Sequence, residues 1–344
     1  MKEGAGASSL LYRLGRLLVG LFTGKTILIT GGTGSLGHQL IQKILPQNPK
    51  RLIVFSRDEL KQHEMRARWP DDTGSVVRYF IGDVRDKDRL ERAFAGVDIV
   101  IHAAALKQVP ACQYNPAEAV KTNIQGSQNV IDAAIDGWVK KVLLVSSDKA
   151  CSPSNLYGKT KAVAEDLFIQ GNAYSPGRTS FSACRYGNVV GSRGSVVPLF
   201  RQLAQTGRIT ITDPRMTRFW LSLPQAADLV KYSLTHMQGG EIFIPKLPSM
   251  KVTDLAQAIA PGVPIMVTGI RPGEKLGEAL LSDEETAHTI DAGPVYVVQP
   301  QHPWWTAEQA QGDPLPAGFR YSSDVNDRWL SVQDLEALCE AVPS

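Results

Sequence analysis

Cysteine is scarce in this chain. Four residues in 344, Cys112, Cys151, Cys184 and Cys339, lie far apart, and no two have the spacing of a zinc knuckle or a redox pair. A chain this long buries enough core without disulfide staples, so reduced thiols in the cytoplasm are expected and no metal site is. Charge of one sign is lacking too. Lysine and arginine number 37 against 34 aspartates and glutamates, a net +3, which is too small a bias for a nucleic-acid partner. The 30 glycines and 21 prolines are scattered, leaving no low-complexity segment. With 43% hydrophobic and 21% charged residues, the composition excludes a collagen-like fibre, a coiled coil and a disordered tail. The length predicts about two domains.

Long hydrophobic runs are also missing. Residues 8–24, SSLLYRLGRLLVGLFTG, place Leu10, Leu14, Leu17, Leu18 and Leu21 at helical spacing. The apolar run after Arg16 is far shorter than the roughly 20 residues that span a bilayer, and no convincing cleavage site follows it. A short amphipathic helix is expected, packed on the protein body or on a partner subunit. A weak peripheral membrane contact through residues 8–23 is the alternative.

What is present begins at Lys25. Thr26-Ile27-Leu28-Ile29-Thr30 is short, apolar and β-branched, as a buried parallel strand should be. It breaks into Gly31-Gly32-Thr33-Gly34-Ser35-Leu36-Gly37 and then into the helical pattern HQLIQKIL. A pyrophosphate needs free backbone amides at the mouth of a helix, and glycine lets the main chain come close while turning. Three glycines alone are weak evidence; between a strand and a helix they predict a dinucleotide site. The next strand, Arg51 to Phe55, ends in Ser56-Arg57-Asp58-Glu59, with Lys61 one turn on. A hydroxyl and cations at that strand end suit a 2′-phosphate and hence NADP, whereas Asp58 or Glu59 could still reach a bare ribose. Further strands are predicted at 75–83, ending in Asp83, at 97–105 and at 141–147, with amphipathic helices between them, including one through Asn123-Ile124-Gln125-Gly126. Such alternation specifies an α/β fold, a doubly wound parallel (Rossmann) sheet with ligands beyond the carboxyl ends of its strands.

The strand at 141–147 runs into Ser147-Asp148-Lys149, and Tyr157-Gly158-Lys159-Thr160-Lys161 follows. Tyr157 and Lys161, four apart, share one face of a helix. A phenol titrating near 10 is a poor base at neutral pH, but an ammonium and a nicotinamide cation beside it favour the phenolate. Tyr157 is then expected to take a proton from a substrate hydroxyl held by Ser147 as hydride leaves the same carbon.

On these residues the chain resembles the extended short-chain dehydrogenase/reductases. Within them it is most similar to the inverting UDP-N-acetylglucosamine 4,6-dehydratases of bacterial surface-glycan and pseudaminic acid synthesis. The stretches that carry the likeness are ILITGGTGSLG at 27–37, FSRDELKQHEM at 55–65, GDVRD at 82–86, HAAALKQVP at 102–110, SSDKA at 146–150, YGKTK at 157–161, RYGNVVGSRGSV at 185–196, TDPRMTRFW at 212–220 and RPGEKLGE at 271–278. The resemblance implies that Ser147, Asp148, Lys149, Tyr157 and Lys161 are catalytic, with Lys149 as the base at C5 and Asp148 as the acid for the departing 6-hydroxyl. An ordinary surface ion pair is the bland reading of those two. It assigns Thr33, Ser35, Leu36, Ser56, Arg57, Lys61, Asp83, Val84, Ala103 and Lys107 to NADP, alongside Gly31, Gly34 and Gly37. It puts Asn188, Arg271 and Glu274, together with Lys107, on the UDP-N-acetylglucosamine side. It also implies a homo-oligomer, a dimer or a hexamer. Two departures stand out: Ser147 where threonine is common, and Gly277 where histidine is expected. A UDP-sugar 4-epimerase or a retaining dehydratase is the rival enzyme, and a non-catalytic NADP-binding scaffold the rival of another class.

The domain organisation expected is an N-terminal segment over 1–24 and a nucleotide-binding domain over 25–187 with returning elements near 215–240. A smaller, discontinuous substrate region over 188–214 and 241–344 completes it, with the strand Glu241-Ile242-Phe243-Ile244 expected to return to the nucleotide-binding domain.

Overall fold

The computed structural model describes residues 20–192, 194–302 and 310–342. The helix expected over 8–24 and its membrane contact lie outside them, except for 20–24, where Phe22 is buried. Among the described residues no helix is long and apolar enough to cross a membrane.

The strands are β1 (Thr26–Thr30), β2 (Arg51–Ser56), β3 (Val77–Ile81), β4 (Ile99–His102), β5 (Lys141–Val145), β6 (Ser180–Cys184), β7 (Asn188–Val189), β8 (Ile209–Ile211), β9 (Thr217–Leu221), β10 (Ile242–Pro245), β11 (Ser249–Lys251), β12 (Ile265–Val267), β13 (Thr289–Asp291), β14 (Val295–Val298) and β15 (Asp313–Pro314). Ten of them form one sheet in the order β15-β13-β14-β10-β6-β5-β4-β1-β2-β3. From β3 to β10 every pairing is parallel; β14, β13 and β15 then add antiparallel strands at one edge.

The sheet is buried on both faces because its strands are apolar on both. Ile27 and Ile29 face Leu40 and Ile41 of the Ser35–Ile44 helix, backed by Leu229 and Val230 of the Leu223–His236 helix. Leu28, one residue out of phase, faces the opposite core with Val130, Ile131 and Phe168 from the Gly126–Asp136 and Leu156–Tyr174 helices. Successive side chains point to opposite faces of a strand, so one five-residue run serves two cores. The sheet order reverses direction between β1 and β4, leaving a crevice at their carboxyl ends.

Some boundaries differ from the sequence reading. The strands expected to run to Ala105 and Ser147 end at His102 and Val145. There the chain leaves the ladder, and Ser147 caps a 3₁₀ turn over Asp148–Ala150. The strand at 241–244 returns to the main sheet as expected, as β10, but β13 to β15, expected to belong with the substrate region, extend that sheet as well. The fully buried apolar run Ile242–Pro245 finds its partner in β6. The remaining elements, β7-β9-β11 and β8-β12, surround a separate core of Val197, Phe200, Trp220, Leu255 and Leu335.

One polar chain crosses the interior beneath the crevice. The Ala104 N–H meets Thr30 Oγ1 at 3.3 Å, Thr30 Oγ1 meets His102 Nδ1 at 2.7 Å, His102 Nε2 meets Ser127 Oγ at 3.3 Å, and Ser127 donates to the Asn123 carbonyl at 2.6 Å. With Ser127 and Ala104 both donating, the chain is satisfied by a neutral ring protonated on Nε2. Burial, helped by the charge of Lys161, pushes His102 down to about 3. Below about pH 6.5 the unfolded chain binds a proton that the folded chain refuses, so stability is lost as pH falls. Between pH 7 and 5 wild type should lose about 2 kcal/mol more than His102→Gln in urea unfolding. Equal losses in the two proteins would contradict the assignment.

Candidate functional site

The crevice opens into a pocket of about 930 Å³ built on the ends of β1, β2, β4 and β5. Its floor is the glycine turn. Gly31 has φ +65°, and a Cβ there would lie 2.9 Å from the backbone of Ala104. A Cβ on Gly37 would lie 2.0 Å from the Gly32 carbonyl oxygen, so the turn closes on its own helix only with glycine. Thr33, Gly34, Ser35 and Leu36 complete the turn along the pocket wall.

At the far end, Thr33 Oγ1 and Ser56 Oγ meet at 2.8 Å. Asp58 caps the Glu59–Arg66 helix by accepting the Lys61 N–H at 3.0 Å, and it also pairs with the Lys61 ammonium. Arg57 lies 3.6 Å from Asp83, which Arg85 holds at 2.8 Å. Despite partial burial, the hydrogen bonds and charge of Arg85 keep the Asp83 carboxyl below its usual range. The cations expected to wait for a 2′-phosphate are therefore shared with carboxylates. Val84, Ala103 and Lys107 line the middle of the pocket. Burial pushes the Lys107 amine down.

The other end gathers Ser147, Asp148, Lys149, Tyr157 and Lys161 with Asn188. Asn155 caps the Leu156–Tyr174 helix by accepting the Gly158 N–H at 2.9 Å, which fixes Tyr157 and Lys161 at its start. Lys161 Nζ donates to the Val145 carbonyl at 2.8 Å. Ser147 Oγ donates to Asp148 Oδ1 at 2.7 Å, and Lys149 Nζ sits 3.1 and 3.2 Å from the two Asp148 oxygens.

The electrostatics depart from the sequence reading. Burial pushes the Tyr157 phenol up to about 12; the cation that opposes this is Lys149, helped by a hydrogen bond with Ser147. Lys161, turned toward the Val145 carbonyl and buried, falls to about 8. Burial works against the Lys149 charge as well, but Asp148 and Glu278 outweigh it and hold the amine above its ordinary value.

Two expected residues are not brought into the pocket. Arg271 and Glu274 pair with each other at 3.9 Å on a turn where Arg271 is 63% exposed. That turn docks beside the helix start, its Gly273 carbonyl accepting Ser154 Oγ and Asn155 Nδ2 at 2.9 Å each.

A profile of the polysaccharide biosynthesis protein family matches residues 27–300. The chain belongs to that family. The family members it is similar to include a protein of Campylobacter jejuni (strain 81-176) named UDP-N-acetylglucosamine 4,6-dehydratase (inverting), 48% identical over 92% of this chain and 97% of that one. A protein of Rickettsia prowazekii named UDP-glucose 4-epimerase is 44% identical over 80% of this chain and 83% of its own. Among solved structures, Pen from Bacillus thuringiensis superposes with a TM-score of 0.85 at 38% identity, over 93% of this chain and 98% of that one.

The sequence reading missed residues that support or line the site. Asn123, in the π-helical turn Lys121–Gln125, accepts the Leu106 N–H at 2.8 Å and donates to the Leu106 carbonyl and Thr160 Oγ1 at 2.9 Å each. It thereby fixes the loop that carries Lys107. A helical pattern containing an asparagine was the whole signal. Glu278 closes the RPGEKLGE stretch and lies 3.6 Å from Lys149, and nothing local distinguished it from a surface glutamate. Gln108, Tyr186 and Trp220 also line the pocket.

The glycine turn yields a direct test. Gly37→Ala should cost about 1–3 kcal/mol in chemical unfolding and weaken dinucleotide binding in a fluorescence titration. A variant with wild-type stability and affinity would mean that the turn can open.

Proposed function

We propose that this chain catalyses the NADP-dependent 4,6-dehydration of UDP-N-acetylglucosamine with inversion at C5. The product is a UDP-4-keto-6-deoxy-L-arabino-hexosamine for bacterial surface glycans or pseudaminic acid. The observation that carries the reading is the pairing of Asp148 and Lys149 beside Ser147 and Tyr157 in one pocket. Oxidation and reduction at C4 need a hydroxyl-holding serine and a tyrosine; removal of H5 and the 6-hydroxyl needs an acid and a base as well. The name of the Campylobacter protein at 48% identity points the same way.

The glycine cradle, which any Cβ at Gly37 would fill, fits a dinucleotide pyrophosphate, and the pocket runs from there to Tyr157. Ser56, Arg57 and Lys61 would hold the 2′-phosphate of NADP, with Asp83 and Val84 at the adenine and Tyr157 and Lys161 at the nicotinamide end. When bound, the dinucleotide would supply a reversible hydride carrier, taking the C4 hydride as the 4-hydroxyl is oxidised and giving it to C6 as C5 is reprotonated. Ser147 orients the 4-hydroxyl and Tyr157 removes its proton. The 4-ketone acidifies H5, Lys149 takes it, and Asp148 protonates the 6-oxygen so that water departs. Reprotonation of C5 from the opposite face completes the inversion. Before either acts, the Lys149 proton must pass to Asp148, 3.1 Å away, because the carboxylate neighbours keep the amine charged; that transfer frees the base and arms the acid together. Asn188 and Lys107 would meet the sugar nucleotide. The elements around β7-β9-β11 would form the substrate region. A cytoplasmic homo-oligomer, dimer or hexamer, accords with the family.

The 44% identity to a protein named UDP-glucose 4-epimerase supports a second reading, epimerisation at C4. Incubation with UDP-N-acetylglucosamine and NADP+, followed by proton NMR, separates the two. A new 6-methyl signal on an L-arabino 4-keto sugar is expected; recovery of UDP-N-acetylgalactosamine alone would sink the proposal.

Lys149→Ala should bind nucleotide nearly as wild type does, yet lose at least about 10²-fold in turnover, the usual scale for a general base. Turnover within about a factor of three of wild type, well inside that scale, would assign the base elsewhere.

A further inference from the structure

Beside Lys149 stands a second carboxylate, to which neither the sequence nor the comparisons give a role. The Glu278 side chain is 4% exposed, and its Oε1 stands 3.6 Å from Lys149 Nζ. Among the described residues its Oε2 has no hydrogen-bond partner; the Lys275 ammonium is 3.8 Å away. A buried carboxylate left half-satisfied is costly, so its backbone must hold it there. It does: the Glu278 N–H donates to Ser323 Oγ and its carbonyl accepts the Ser323 N–H, both at 2.9 Å. Ser323 Oγ is tied in turn to Thr217 Oγ1 at 2.8 Å. Two residues back, the Leu276 carbonyl accepts the Thr217 N–H at 2.9 Å and Arg218 Nη1 at 3.0 Å.

We propose that Glu278 is a positioning residue that fixes the seat and charge of the Lys149 amine. It rests on the dehydratase reading only in calling that amine the base. Asp148 reaches Lys149 from the preceding residue, and Glu278 reaches it from the segment clamped to β9 and Ser323. The other charged or titratable groups acting on this pair are Arg218, Tyr157 and Lys275. An amine with a second carboxylate beside it keeps its place while Asp148 carries the proton destined for the leaving oxygen. With Asp148 alone, the amine would lose its ionic anchor for as long as that carboxyl is protonated.

The test reads Lys149 directly, in the full-length protein. Reductive methylation with formaldehyde and dimethylamine–borane modifies only neutral amines, and peptide mass mapping reports Lys149. An opposite charge this close moves a titration by about one unit or more. Glu278→Gln, which keeps the shape and removes the charge, should therefore raise the Lys149 modification rate at pH 9 about tenfold. Glu278→Asp, which keeps the charge, should restore part of the wild-type protection. Lys275→Met, which removes the competing cation, should slow modification severalfold. With UDP-N-acetylglucosamine, the rising limb of kcat against pH should move down about one unit in Glu278→Gln, with KM within about threefold. Merely structural damage would change the melting temperature and leave that limb where it was.

An unmoved Lys149 rate in a folded Glu278→Gln protein overturns the proposal. If that variant does not fold, wild-type rates in both Glu278→Asp and Lys275→Met overturn it equally. Methylation shifts in a wild type that never turns over the sugar nucleotide would uphold the pairing and sink the dehydratase reading instead.

Discussion

Arg185 ties the reacting end of the pocket to the rest of the molecule. It follows β6 directly, its side chain is 2% exposed, and it makes five hydrogen bonds: two to Glu165, two to Glu285 and one to the Leu280 carbonyl. Glu165 lies one turn after Lys161 on the helix that carries Tyr157. Glu285 belongs to the short helix Asp283–Thr286, just beyond Leu280 and the Glu278 segment. Burial opposes the guanidinium charge, but two carboxylates in fork geometry more than compensate and hold it firmly protonated. Loss of one partner from such a buried cluster costs about 3–5 kcal/mol, because the remaining charges are stranded. Its value to this fold is geometric. One planar group sets the distance between the helix bearing Tyr157 and Lys161 and the segment bearing Glu278.

With that frame fixed, the charges at the reacting end follow from a competition between burial and neighbours. Burial wins at Tyr157, pushed up to about 12, and at Lys161, drawn down to about 8. Neighbours win at Lys149, where two carboxylates stand within 3.6 Å. The Tyr157 phenol is thus protonated near neutral pH and the Lys149 amine is charged. A group carrying positive charge into the pocket beside Tyr157 would favour the phenolate.

How much of this could be read from the sequence depended on whether the cause was local. TILIT followed by three spaced glycines specifies its own strand, turn and helix, and the structure puts all of it along the pocket floor. Ser147, Asp148, Lys149 and Tyr157 are close in sequence, and one turn and one capped helix bring them together. What failed to show was what closes over long separations. Arg271 and Glu274 carry the right chemistry, but they satisfy each other three residues apart on an exposed turn. Arg57 reads as a free cation until Asp83 arrives from the next strand. Glu278 becomes informative only once Ser323, 45 residues away, clamps its backbone. The strands β13 to β15 were invisible as part of the main sheet because only tertiary pairing across β10 admits them.

Gly277 tests the limit of arguing from a departed motif residue. A histidine expected there suggests a lost contact with the sugar nucleotide. In the structure Gly277 borders a different cavity, about 380 Å³, with Ser152, Lys275, Arg320 and Asp324, and it is absent from the walls of the nucleotide pocket. A Cβ at 277 would lie 2.9 Å from Asp324 Oδ1. A side chain there would start out toward Asp324, which Ser322 already engages by hydrogen bond. The adjacent Glu278 carboxylate takes the opposite course, toward Lys149. Glycine at 277 therefore removes bulk from the outer side of this segment while the inward carboxylate keeps its place. The departure falls on the face that does not meet the reacting groups.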